Sequence, residues 1–188
     1  MNIFVVDEDP HQAAHDLCDK HVVKMIVESA QMLSTTHRVL DGTPTVRTTK
    51  SNRKIKHWVH PDTEWDRVLC LPTMVNHPCT VWAMKSDSNY LWLWGHGIGL
   101  LNEYTKRYGK VHSMQNLFDR YLNWVPNGIT DGGLTPFAQA MPEKYRCSNA
   151  VLAYRRYYIN EKKRFAKWKN DGIPVWFNDK SLLEETRC

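Results

Sequence analysis

Cysteine is scarce and poorly placed for bridging. There are five residues (Cys18, Cys70, Cys79, Cys147 and Cys188), an odd and scattered set with no CxxC pair. That suits reduced thiols rather than a disulfide framework. No apolar run approaches the ~18 residues that a membrane span needs, so no transmembrane helix is expected. The first residues lack a basic stretch and carry only a short apolar run, Ile3 to Val6, so they do not read as a signal peptide. Familiar nucleotide and hydrolase signatures are missing: there is no Walker loop, G-x-G-x-x-G, G-x-S-x-G or HExxH. Gly95-His96-Gly97-Ile98-Gly99 resembles a glycine-rich turn, but it lies in a helix-like pattern rich in Trp and Leu. Glycines there permit close helix packing. Acid is absent from Gly42 to Pro61, a segment that holds Arg47, Lys50, Arg53, Lys54 and Lys56.

What is present begins with basic charge. The 188 residues carry a net charge of +5, and a second basic block lies between Glu143 and Lys169. Arg155, Arg156, Lys162 and Lys163 belong to it, interleaved with Tyr145, Tyr154, Tyr157, Tyr158, Phe165 and Trp168. Basic groups attract phosphate and aromatics stack on bases. The alternative is an amphipathic helix with a buried aromatic face and a solvated basic one; Tyr154, Tyr158, Phe165 and Trp168 do fit helical spacing. Two separate basic segments favour nucleic acid.

Periodicity predicts a mainly α fold, a single-domain helical bundle over 1–188 with two long irregular loops. Pro10 to Leu40 reads as a long helix with a break near Asp16 or Ser34. Shorter helices follow from Asn76 to Met84, from Ser86 or Ser88 to Tyr108 with Gly109 as its stop, and from Ser113 to Leu122. Ser148 caps a last helix to about Trp168. Residues 42–72 read as irregular with room for a hairpin, 125–142 as a second irregular loop, and 171–188 as a peripheral tail.

The first long helix carries one polar stripe: His21, Lys24, Glu28, Gln31 and Thr35 recur every three or four residues. His21 and Glu28, seven apart, share a face two turns apart. Either this is a solvated face with a Lys24–Glu28 pair, or it is the wall of a site. Nearby, His11, His15 and Cys18 stand at i, i+4 and i+7, side chains that ligate zinc. With nine histidines in the chain, coincidence outweighs this signal, so neither a metal nor another cofactor is expected.

Leu17-Cys18-Asp19-Lys20-His21 followed by Glu28 resembles the first helix of the pyrimidine-dimer DNA glycosylase family (endonuclease V type, best known from phages). There a Leu-x-Asp-x-His segment precedes a catalytic Glu by seven residues from the His. Tyr154-Arg155-Arg156-Tyr157-Tyr158 is similar to that family's aromatic and basic DNA-contacting segment. The resemblance implies a base-excision glycosylase with AP-lyase activity. The N-terminal α-amine attacks C1′ to form a Schiff base, and Glu28 handles protons and stabilises the cation. The amine belongs to Met1, or to Asn2 if Met1 is removed. His21 is implied as an orienting or phosphate-contacting group, and Lys24 is an alternative amine. Arg47, Arg53, Lys54, Arg155, Arg156, Lys162 and Lys163 are expected to hold DNA phosphates. The sequence departs from the family where Val27 and Gln31 stand in place of Arg. The implied partner is duplex DNA with a damaged base, the implied state a monomer, and the implied setting the cytoplasm, of the host if phage-encoded. Two other readings stay open: an enzyme acting on a modified base or nucleotide without strand cleavage, and a non-catalytic DNA-binding or host-interaction protein.

Overall fold

The computed structural model describes residues 1–169 and 172–182. The long first helix is two helices, α1 (Pro10–Asp16) and α2 (Asp19–Asp41). Asp9 starts α1 by accepting the Gln12 N–H at 2.7 Å, and Pro10 occupies the first turn, where its missing N–H costs nothing. The break at Leu17–Cys18 leaves carbonyls without helical partners. Arg107, wholly buried, donates to the carbonyls of His15 (2.7 Å) and Leu17 (2.8 Å) and is neutralised by Glu103 (2.9 Å) and Asp19 (3.1 Å). The break is thus held from a distant helix.

That helix is α5 (Asp87–Tyr108), which starts at Ser86 and stops at Gly109 with φ 65°, the left-handed cap that glycine adopts without strain. A Cβ on Gly99 would come within 2.8 Å of the Ala14 Cβ, and one on Gly97 would overlap the Phe118 ring. The glycines let α1 and α6 (Gln115–Arg120) lie against α5, so the run is a packing groove rather than a phosphate loop.

Residues 42–72 contain the hairpin for which there was room, and are more regular than expected. Strands β1 (Thr43–Thr48) and β2 (Lys54–Val59) pair antiparallel with Thr43 opposite Val59, and α3 (Thr63–Val68) follows. The hairpin is tied down at its base. Arg38, buried, donates to the carbonyls of Trp58, Asp66, Leu69 and Cys70 and pairs with Asp66 at 2.5 Å. Every residue of β1 is exposed, which is why apolar periodicity gave no strand signal there.

Helix α4 (Pro78–Ala83) packs on α2, and α7 (Ala150–Lys162) crosses the N-terminal run. Asn149, not Ser148, caps α7, and α7 ends six residues before Trp168. Residues 125–142 contain no helix or strand. The tail residues 172–182 are not peripheral: Trp176 and Phe177 are buried, and Trp176 Nε1 donates to Asp16 at 2.6 Å. The rest of the 171–188 tail lies outside the described residues. Among those described, no helix is long and apolar enough to cross a membrane.

Candidate active site

Ile3, Val5 and Val6 have no exposed surface and Phe4 little. Burying this run draws the chain start across α2. Asn2 locks it: its Nδ2 donates to the Ala140 carbonyl at 2.8 Å, and its Oδ1 accepts the N–H groups of Ile3 and Phe4. Phe4 takes φ 37°, a left-handed conformation that is strained for a side chain of this size. The turn delivers the Asn2 N–H to Glu28 Oε2 at 3.0 Å and the Met1 amine to the same oxygen at 3.8 Å. Lys24 Nζ lies 3.2 Å from the other oxygen, Oε1.

Glu28 is therefore no ordinary solvated residue. Its side chain is 13% exposed, against 66% for Lys24. Two cationic groups and one backbone donor converge on a carboxylate at the edge of the core. Such a group holds a proton-transfer partner in place and stabilises a developing positive charge beside it.

His21 does something else. Burial, followed by the positive charges of Lys162 and Lys24, pushes its imidazole down to about 3. Its Nδ1 lies 2.7 Å from the Tyr158 hydroxyl, which also accepts the Cys18 N–H, and its ring stacks on Phe4 at 4.5 Å. A neutral, buried imidazole offers no cation to a phosphate, so the phosphate-contacting expectation does not fit. His21 instead holds the strained Phe4, and through it the chain start.

Two residues near the amine escaped the sequence reading. His77, whose Nδ1 accepts the Cys79 N–H at the start of α4, lies within electrostatic range of both the amine and Glu28. Burial first, then the positive amine, lowers its pKa. Burial pushes the neighbouring Cys79 thiol up to about 12, so it remains a thiol and not a nucleophilic thiolate. Asn76-His77-Pro78 signalled only a helix start; its closeness to Glu28 is a tertiary fact.

The basic residues separate into groups. Arg47, Arg53 and Lys54 are exposed on the hairpin, and Lys163 is exposed after α7. Arg155 is engaged within the fold: Nε donates to the Val6 carbonyl at 2.7 Å, a terminal nitrogen pairs with Asp7 at 3.3 Å, and the guanidinium lies over Trp176. Lys162 donates to the Tyr157 hydroxyl at 3.0 Å and lies over that ring. Arg156 is half-buried. Arg155 thus holds the N-terminal run, whatever its part in binding phosphate. The zinc-like trio does not converge: α1 ends before Cys18, which is buried, while His11 is exposed.

These features define a mainly α protein in which the Met1 amine lies beside a largely buried carboxylate on the first long helix. A family model described as pyrimidine dimer DNA glycosylase matches residues 1–116 of the 188, and the chain belongs to that family. The matched part contains Met1, Asn2, His21, Lys24, Glu28 and the hairpin; α7 lies beyond it. Comparison with curated proteins and with solved structures gives no match.

Proposed function

We propose that this chain is a DNA base-excision glycosylase for damaged pyrimidines in duplex DNA, with an AP-lyase step through a Schiff base on its N-terminal amine. The observation that carries the reading is the convergence of the chain start on Glu28, at 3.8 Å for the Met1 amine and 3.0 Å for the Asn2 nitrogen. Either nitrogen, as the terminal amine, sits beside the same carboxylate. An α-amine titrates near pH 8, about two units below a lysine, so a useful fraction is a neutral nucleophile at pH 7.

In this scheme the damaged nucleotide is turned out of the stack so that its C1′ meets the amine. The amine's lone pair forms the N–C1′ bond. The glycosidic bond breaks; the pyrimidine takes the electron pair and a proton, and in a dimer it stays joined to its neighbour. One proton passes from the adduct's nitrogen to the ring oxygen O4′ as the C1′–O4′ bond breaks, giving the iminium, whose positive charge faces Glu28. Loss of a C2′ proton and expulsion of the 3′ phosphate complete β-elimination, and water releases the amine. Lys24 is the second amine on the same carboxylate, and its exposure makes it the less desolvated of the two. Arg47, Arg53, Lys54 and Lys163 supply phosphate contacts, with Arg156 and Lys162 flanking Tyr157.

Borohydride trapping tests the reading. Incubation with duplexes carrying a cyclobutane dimer or an abasic site, in the presence of borohydride, should link protein to DNA covalently through residue 1 or 2. Scission of the dimer's glycosidic bond without any trapped adduct favours direct water attack and removes the lyase step. Tight binding without turnover on either duplex favours a non-catalytic DNA-binding protein.

A further inference from the structure

We propose that His37, Asp41 and His60 form a second site, one that binds a single divalent first-row transition ion, zinc by its ligand chemistry, where α2 meets the hairpin. The site is separate from Glu28, since His37 lies nine residues further along α2, roughly 14 Å of helix rise. His37 and His60 are 1% and 8% exposed. His37 Nδ1 and His60 Nε2 are buried with no hydrogen-bond partner. Both face Asp41 Oδ2, at 3.9 and 4.0 Å, beyond hydrogen-bond distance. All three ligand atoms lie within 4.8 Å of one another. Leaving two buried ring nitrogens unsatisfied beside a carboxylate is costly unless a shared partner joins them.

The outer contacts fit ligation. His37 Nε2 lies 3.0 Å from the Trp124 carbonyl, which only accepts, so Nε2 carries the proton and Nδ1 presents its lone pair inward. An imidazole held through its far N–H by a backbone carbonyl is the usual support of a metal-bound histidine. The Tyr90 hydroxyl lies 2.9 Å from the same nitrogen. Asp41 is oriented by the N–H groups of Asn127 (3.1 Å) and Gly128 (2.8 Å). Trp65 stacks on His60 at 5.3 Å and meets His37 edge-on at 4.8 Å. His60 Nδ1 accepts the Asp62 N–H at 3.2 Å, so in the metal-free chain a neutral His60 carries its proton on Nε2. An ion on Nε2 displaces that proton. The ring stays neutral by carrying one on Nδ1 instead, and the N–H of exposed Asp62 turns to water.

Two imidazoles and one carboxylate suit zinc and its neighbours, whereas magnesium and calcium favour oxygen shells. Zinc bonds of about 2.0–2.1 Å place tetrahedral ligand atoms roughly 3.4 Å apart. Loading therefore closes each His–Asp41 pair by about half an ångström, from 3.9 and 4.0 Å, and the two histidines by at most about 1.4 Å from the 4.8 Å limit, and leaves a fourth position for water. The ion ties the last turn of α2 to the end of β2 and, through Asp41, to the 127–128 turn. The basic hairpin is thereby fixed to the helix that carries Glu28.

The test uses the full chain, stripped with chelator and titrated with Zn²⁺. One equivalent should bind, and Tm should rise by about 5 °C or more at a hundredfold excess over Kd. Asp41→Asn, which keeps an oxygen for the backbone donors, should lose at least a hundredfold in zinc affinity. The paired change His11→Gln and His15→Gln should leave it unaltered. Three results overturn the proposal: no uptake and no Tm shift in the wild-type chain; zinc that survives Asp41→Asn but vanishes with His11 and His15; or a crystal grown with zinc in which a water hydrogen-bonds all three side chains. The wild-type titration decides the matter even if a variant fails to fold.

Discussion

Glu28→Gln is the substitution whose consequence is best defined by the geometry. Gln keeps an oxygen to accept the Asn2 N–H, now at 3.0 Å, so the chain start stays in place. What disappears is the negative charge. At the 3.8 Å separation of amine and carboxylate, one charge pair in an effective dielectric of about 20 interacts by roughly 4 kcal/mol. That figure bounds the stabilisation available to an iminium formed on the same nitrogen. Removing it should lower the single-turnover rate by about 10²–10³-fold. Folding stability should fall by only about 1–2 kcal/mol, because the neutral hydrogen bond persists and the Met1 and Lys24 cations that lose their partner regain hydration. The assay is single-turnover glycosidic-bond scission on a dimer-containing duplex, read as strand cleavage after alkali, with borohydride trapping and thermal unfolding run in parallel. The paired readout matters, since a variant that unfolds would lose activity for the wrong reason. A folded Glu28→Gln protein within tenfold of the wild-type rate would refute the electrostatic argument and shift attention to Lys24 or His77.

Other consequences follow from the same contacts. A short N-terminal extension should abolish trapping while leaving DNA affinity within about threefold, because it removes the terminal amine but not the hairpin; a fully active tagged protein would exclude the α-amine. Replacing Arg47, Arg53 and Lys54 with Ala should flatten the slope of log K against log salt by about three. Arg155→Ala should instead lower Tm, since that side chain secures Val6; an unchanged Tm with a flatter slope would reverse the assignment. His21 is held near 3 when folded, against an ordinary value of 6.5. Between those two pH values the unfolded chain binds the extra proton, so stability is full above about pH 6.5 and falls as pH drops towards 3. His21→Gln should remove about one proton from the slope of stability against pH in that window, and an unaltered acid limb would show that His21 is not buried and neutral.

The hairpin and the α1–α2 break mark where local reading stops. β1 has no buried face, so nothing in its apolar spacing announces a strand; its pairing comes from β2 and from Arg38 beneath it. The break is signalled only loosely by sequence, because its carbonyls are satisfied by Arg107, some ninety residues away. Arg155 reads as a DNA contact in a basic segment, and its hydrogen bond to Val6 across the fold has no signal in the sequence.

Residue order alone determined the helical class, the starts at Asp9-Pro10 and Ser86, the stop at Gly109, and the stripe that brings Glu28 to notice. Each rests on contacts within one or two helical turns. Tertiary structure alone separated the two ends of that stripe. His21 and Glu28 share a face, yet one is buried as a neutral packing group and the other receives the chain start. Their difference comes from Phe4, Tyr158 and Asn2, which meet α2 only once the buried N-terminal run has folded across it.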